Sequence, residues 1–194
     1  MSARTIFLVM DMMNDLIAEN GFGAKGYGAQ MKERGVLENT AAAIAAARAA
    51  DVPIGYVRVG FSPDYRECPP SSPIFSGARK NNIFQLGTWG TQVHPALAPQ
   101  DGDHDIVKHR VSPFYGTTLE PILRANGIER IVMCGVSTNG VVHSGAREAH
   151  DRDYQVVMLE DCCAGATAEE HEHAIACLGR YGTITTSSEF DFNS

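Results

Sequence analysis

Short apolar, β-branched runs alternate along this chain with longer segments of helical character, and that order constrains the fold more than any other feature. The runs TIFLVMD (5–11), PIGYVRV (53–59), DIVKHRV (105–111), RIVMCGV (130–136), QVVMLED (155–161) and TITTSSEF (183–190) read as six strands. Between them, GVLENTAAAIAAARAAD, TTLEPILRANG, TNGVVHSGAREAHDRD and TAEEHEHAIACLGRYG read as helices, the first because alanine loses so little on entering one. Thr117 with Glu120 and Thr167 with Glu170 have capping-box spacing, and Gly127 and Gly182 stand where two helices should end. Strands joined through helices run parallel, with right-handed crossovers and both sheet faces covered. The expected fold is therefore a three-layer α/β/α sandwich. At 194 residues with no internal repeat, a single domain over 1–194 is expected.

Charge and composition then remove whole classes of function. The net charge is −7 and no block of Lys or Arg appears, which excludes the basic footprint of a nucleic-acid binder and leaves a small molecule as the expected partner. The opening MSARTIFLVMD is too short an apolar run for a secretion signal, and no stretch approaches the roughly 18 apolar residues of a membrane span, so a cytoplasmic protein is expected. Five cysteines form neither a disulfide framework nor C-x-x-C spacing and read as reduced, mostly buried thiols. His143 and His150 are seven apart and His171 and His173 two apart, which is not the i, i+4 pairing of a helical metal site; no metal or cofactor is expected. AEEHEH reads as a solvated helical face. NGFGAKGYGAQ is glycine-rich but lacks both G-x-G-x-x-G and a Walker lysine, so it is not read as a phosphate cradle. The long Pro-, Ser- and Gly-rich stretch 62–90 reads as a lid.

Ligands of an open parallel sheet gather beyond the carboxyl ends of its strands. Asp11 stands at such an end, after the apolar run Ile6–Met10, and Lys108 interrupts an otherwise apolar strand. Either charge alone would be costly to bury; paired, each could tune the other for acid–base work. The bland alternatives are a turn-capping carboxylate and a lysine that snorkels to solvent. The stretch CGVSTNGVVHSG bends from strand into helix at Val136, Ser137, Thr138, Asn139 and Gly140, where backbone N–H groups and the helix dipole can meet negative charge. Thr138 reads as the N-cap of that helix. Trp89, Phe114 and Tyr115 flank the third strand and read equally as pocket walls or as packing.

LVMDMMND together with GTWGTQVHPAL and the run VKHRVSPFYGTTLEPILRANGIERIVMCGVSTNGVVHSGAREAHDRDYQVVMLEDCCAG resembles the isochorismatase-like hydrolases, the cysteine hydrolase superfamily, nearly end to end. The resemblance implies a six-stranded parallel sheet ordered 3-2-1-4-5-6, Asp11 as general acid or base with Lys108 as its charged partner, and a cis peptide between Val136 and Ser137. It also implies a homo-oligomer, a dimer or tetramer, and it places Asp153 where relatives carry glycine, so that Asp153 must close its helix in the left-handed region. The amidase members carry their cysteine nucleophile at the position of Gly140. Loss of a nucleophile costs on the order of 10⁶ in turnover, so a glycine there implies another route. The true isochorismatases also carry glycine and hydrolyse a vinyl ether after protonating it. Asp11 is thus expected either to protonate a vinyl ether or to activate water towards an amide or ester, with the Gly140 N–H at the oxyanion. Two alternatives stay open: a non-catalytic binding or scaffold protein that kept the pocket, and an amidase with a relocated cysteine, for which Cys68 in the lid is the mobile candidate.

Overall fold

The computed structural model describes residues 3–194. Six strands, β1 (Thr5–Met10), β2 (Ile54–Val59), β3 (His104–Lys108), β4 (Arg130–Val136), β5 (Gln155–Ala164) and β6 (Thr183–Thr185), form one sheet of order β3-β2-β1-β4-β5-β6. Every neighbouring pair is parallel. The helices are α1 (Asn14–Ile17), α2 (Ala24–Glu33), α3 (Val36–Ala49), α4 (Ala78–Asn81), α5 (Leu119–Ala125), α6 (His143–His150) and α7 (Ala168–Leu178). The central strand β1 is buried at every position, as a parallel strand covered on both faces must be. From it the chain steps outward through β2 and β3, then returns to the other side through β4, so the switch point lies between the tips of β1 and β4. Contact there is close: a Cβ on Gly135, whose φ is 152°, would lie 2.3 Å from the Met10 carbonyl oxygen.

Several elements differ from their sequence reading. The third strand stops at Lys108, before 109–111, and the sixth stops at Thr185, while β5 runs on to Ala164. The stretch NGFGAKGYGAQ is largely helix α2, whose glycine spacing hides it from any propensity argument. At the N-terminus of α5 the cap residue is Thr118, without a side-chain bond. Glu120 pairs there with Arg124 and Arg152 instead of closing a box with Thr117. Thr167 does cap α7, accepting from the Glu170 N–H at 3.1 Å. Gly127, at φ 61°, follows α5, with the next N–H, that of Ile128, returning to the Leu123 carbonyl. Gly182 has a different task from the one expected: α7 ends at Gly179, and Gly182 lets the chain pass the Val156 carbonyl, which a Cβ would approach to 2.4 Å. Asp153 adopts φ 67° after α6.

The stretch 62–90 is an ordered wrap. Its residues Tyr65, Phe75, Ala78, Ile83 and Phe84 form a small core of their own with Met13, Val59 and Phe61. The Tyr65 hydroxyl donates to the Ile83 carbonyl, and the Asp15 carboxylate accepts from the Phe84 N–H at 2.6 Å. Among the described residues no helix is long and apolar enough to cross a membrane.

Candidate active site

Strand register brings the two expected charges together. Val59 lies beside Lys108 across β2 and β3, and Met10 beside Val57 and Gly135, so Asp11 leaves the tip of β1 next to the end of β2. Asp11 turns sharply there, at φ 56°. Its Oδ1 accepts from the Val59 N–H at 3.0 Å, and its Oδ2 accepts from Lys108 Nζ at 2.9 Å. Lys108 also donates to the Arg110 carbonyl at 3.0 Å. Both side chains are almost wholly withdrawn from solvent, so neither bland reading holds: Asp11 does not cap a surface turn and Lys108 does not snorkel. Burial pushes the Asp11 carboxyl above the ordinary aspartate range, against the opposing pull of the Lys108 ammonium and the Val59 N–H.

The pair opens into a cavity of about 440 Å³, lined also by Val136, Ser137 and Gly140. The Val136–Ser137 peptide is cis. A single π turn, Thr138–Val142, follows and runs into α6. Two details correct the expectation for this bend. The Gly140 N–H donates to the Ser137 carbonyl at 3.1 Å, so it is engaged inside the turn. Thr138 is not the N-cap, a place taken by Ser137 without a side-chain bond; it is fully buried, with Oγ1 2.8 Å from His171 Nδ1. His171 Nε2 in turn meets Glu160 Oε2 at 3.2 Å, and Arg34 pairs with the same carboxylate. Burial, with the Arg34 charge, holds the His171 pKa below its usual value. The neutral ring fits when Nε2–H donates to Glu160 and Nδ1 accepts from Thr138. Thus one residue of AEEHEH is a buried fastener rather than part of a solvated face.

The space beside Gly140 is not empty of chemistry. A Cβ built there would lie 2.6 Å from Ser137 Oγ, so the serine hydroxyl stands where a side chain at 140 would begin.

These features meet a family profile. Residues 5–189 match the Isochorismatase domain. The chain belongs to the isochorismatase family. Its relatives include the isochorismatase family protein YecD of Escherichia coli O157:H7, 41% identical over 66% of this chain and 66% of that protein. Another is the ureidoacrylate amidohydrolase of Methylorubrum extorquens, 35% identical over 81% of this chain and 68% of that enzyme. The chain thus spans about two thirds of the length of these curated relatives. Among solved structures, an isochorismatase-like hydrolase from Alkaliphilus metalliredigens superposes with a TM-score of 0.80 at 26% identity, over 96% of this chain and 94% of that one. N-carbamoylsarcosine amidase from Thermoplasma acidophilum gives 0.75 at 26% identity, over 97% and 99%. The fold and the hydrolase class of this isochorismatase-family chain rest on these likenesses together.

The other expected site residues lie elsewhere. Asn139 turns outward to Glu170. Trp89 is 45% exposed, in a short 3₁₀ turn, and its carbonyl accepts from Asn14. Phe114 is buried under the Arg152 guanidinium, and Tyr115 is 67% exposed. None of these four, nor Thr138, lines the cavity. The aromatic walls are instead Phe22, Tyr27, Phe75 and Phe84, from the chain around α2 and from the 62–90 wrap. Only the reading of 62–90 as a lid pointed towards any of them.

The thiols are withdrawn from the site. Burial raises the pKa of Cys134 and Cys162 strongly and pushes Cys163 up to about 12. Cys68 is half-buried, its Sγ donates to the Phe75 carbonyl, and burial raises its pKa as well. No cysteine lines the cavity.

Proposed function

We propose that this chain is a hydrolase in which water attacks the substrate directly, with Asp11 as general acid and base and no covalent enzyme intermediate. The observation that carries this reading is the Asp11–Lys108 pair at 2.9 Å, buried and opening into the same cavity as Gly140. A buried ion pair is costly to maintain, and a carboxyl perturbed by burial beside a specific charge partner in a cleft is the pattern of a functional site. By the resemblance to the amidases, Gly140 occupies the nucleophile's position, and a glycine has no atom with which to attack. The relatives named as amidohydrolase and amidase favour a C–N bond as the one broken.

For an amide the sequence of steps is short. Ionised Asp11 takes a proton from water as its oxygen bonds to the carbonyl carbon. The oxyanion is met by the ammonium proton that Lys108 retains beyond its two acceptors, and by the Ser137 hydroxyl, rather than by the engaged Gly140 N–H. Asp11 then returns the proton to the leaving nitrogen as the C–N bond breaks. The raised pKa of Asp11 suits both halves of that exchange, since it brings the acid form nearer to working pH.

A panel of amides, esters and isochorismate, assayed with wild type, Asp11→Asn and Gly140→Cys, tests the reading. Wild type should turn over at least one class, and Asp11→Asn should lose roughly 10²–10⁴ in kcat/KM. If wild type is inert across the panel while Gly140→Cys gains amidase activity, the protein is a binding protein that kept the pocket.

A further inference from the structure

The turn after β4 is held loosely along its own axis and firmly from the side. Ser137, its N-cap, makes no side-chain cap bond. The Ser137 carbonyl accepts from two amides at once, Gly140 at 3.1 Å and Val142 at 3.4 Å. One acceptor shared between two donors, the second near the outer limit of a hydrogen bond, fixes a wide π turn poorly. The turn therefore needs an anchor outside itself.

Helix α7 supplies one. Two successive residues of the turn meet two successive residues of α7: Thr138 Oγ1 lies 2.8 Å from His171 Nδ1, and Asn139 Nδ2 donates to Glu170 Oε2 at 3.3 Å. These two ties are unequal. The Asn139 pair is at the surface, where water competes for it, and Glu170 also accepts from the Ala166 N–H. Thr138 and His171 are buried, so their bond has no aqueous substitute when it breaks. On its far side His171 meets Glu160 of β5, and Arg34 fastens that carboxylate while donating to the Glu160 and Cys163 carbonyls. Bonded at both nitrogens, the ring is fixed between β5 and the turn. Thr138 is the chain neighbour of Ser137, which lines the cavity with Asp11, Lys108 and Gly140. A shift of Thr138 carries the Ser137 hydroxyl with it, and a misplacement of about 1 Å at a reacting centre costs on the order of 10² in rate.

Resting on the hydrolase reading above, we propose that His171 is a positioning residue for the reaction: braced by Glu160 at Nε2, it holds Thr138 through Nδ1 and so fixes the Ser137 hydroxyl against the Asp11–Lys108 pair. His171 does not line the cavity and touches no substrate.

Two substitutions divide the imidazole. His171→Asn places an amide oxygen near the Nδ1 position and keeps an acceptor for Thr138. His171→Gln places its amide near Nε2, keeping Glu160 and giving up Thr138. Amide hydrogen exchange at Val142, measured by NMR without any ligand and referenced to Val132 in the core of β4, reads local opening of the turn apart from global unfolding. In parallel, kcat and KM are measured on the panel of amides, esters and isochorismate. His171→Gln should speed Val142 exchange relative to Val132 by about tenfold and lower kcat by about tenfold with KM within about twofold, while His171→Asn stays within about threefold of wild type in both. Should a His171 variant fail to fold, Thr138→Ser against Thr138→Val makes the same comparison from the other side of the bond, with serine as the rescuing side chain. The two variants of a pair behaving alike, a loss carried by KM alone, or His171→Gln matching wild type overturns the proposal. If wild type is inert across the panel, the hydrolase reading fails, and the exchange ratio still decides whether His171 fixes the turn.

Discussion

At the residue scale, the site turns on how one carboxyl is balanced between burial and a cation. Burial raises the Asp11 pKa, and the Lys108 charge and hydrogen bond, with the Val59 N–H, lower it. A carboxyl whose pKa is higher in the folded chain than in the unfolded one stabilises the fold most at acid pH, and loses that contribution as pH rises through the raised value. Ionised Asp11 is therefore held at a cost, which Lys108 offsets. Lys108→Met removes the offset, so the acidic limb of the kcat/KM profile should move to higher pH; a limb that stays in place, or moves down, would show that Asp11 is not the titrating group. Both charges were legible in the sequence, because a carboxylate after an unbroken apolar run and a lysine within an apolar strand break their local patterns. Their contact was not, since it depends on the register of β2 against β3 and on the turn at Asp11. The Ser137 hydroxyl beside Gly140 was hidden for a similar reason: adjacency around a tight turn has no spacing signature.

At the element scale, the bend after β4 is held from behind. Thr138, His171, Glu160 and Arg34 connect the π turn, α7, β5 and the residue that closes α2. Thr138→Val keeps the shape but leaves His171 Nδ1 without a donor, which should cost about 1–3 kcal/mol in urea unfolding. A change within experimental error would show that the chain of bonds contributes nothing to holding the bend. Strands and helices with a clear period, such as β1, β4 and α3, matched their sequence reading closely. Elements set by tertiary contact did not. Helix α2 carries glycines at 26 and 28 and owes its place to packing and to Arg34, whereas β6 ends at Thr185 although another threonine, Thr186, follows it. Propensity cannot report either outcome, because neighbours decide it.

At the scale of the whole molecule, alternation alone required parallel strands and covered faces, while the order 3-2-1-4-5-6 came from the family resemblance and is the order observed. That order puts the switch point between β1 and β4 and so decides where any cavity must lie. The walls of the cavity were the least legible part, since Phe22, Ile74, Phe75 and Phe84 sit in segments without period and approach one another only when the 62–90 wrap packs against the sheet. What unites these levels is attack by water rather than by a side chain. Intact-mass spectrometry of protein quenched during turnover of a saturating amide or ester tests it directly. Direct attack predicts only the unmodified protein mass at every quench time. A population heavier by the acyl group, building to a steady level and decaying as substrate is spent, would contradict it.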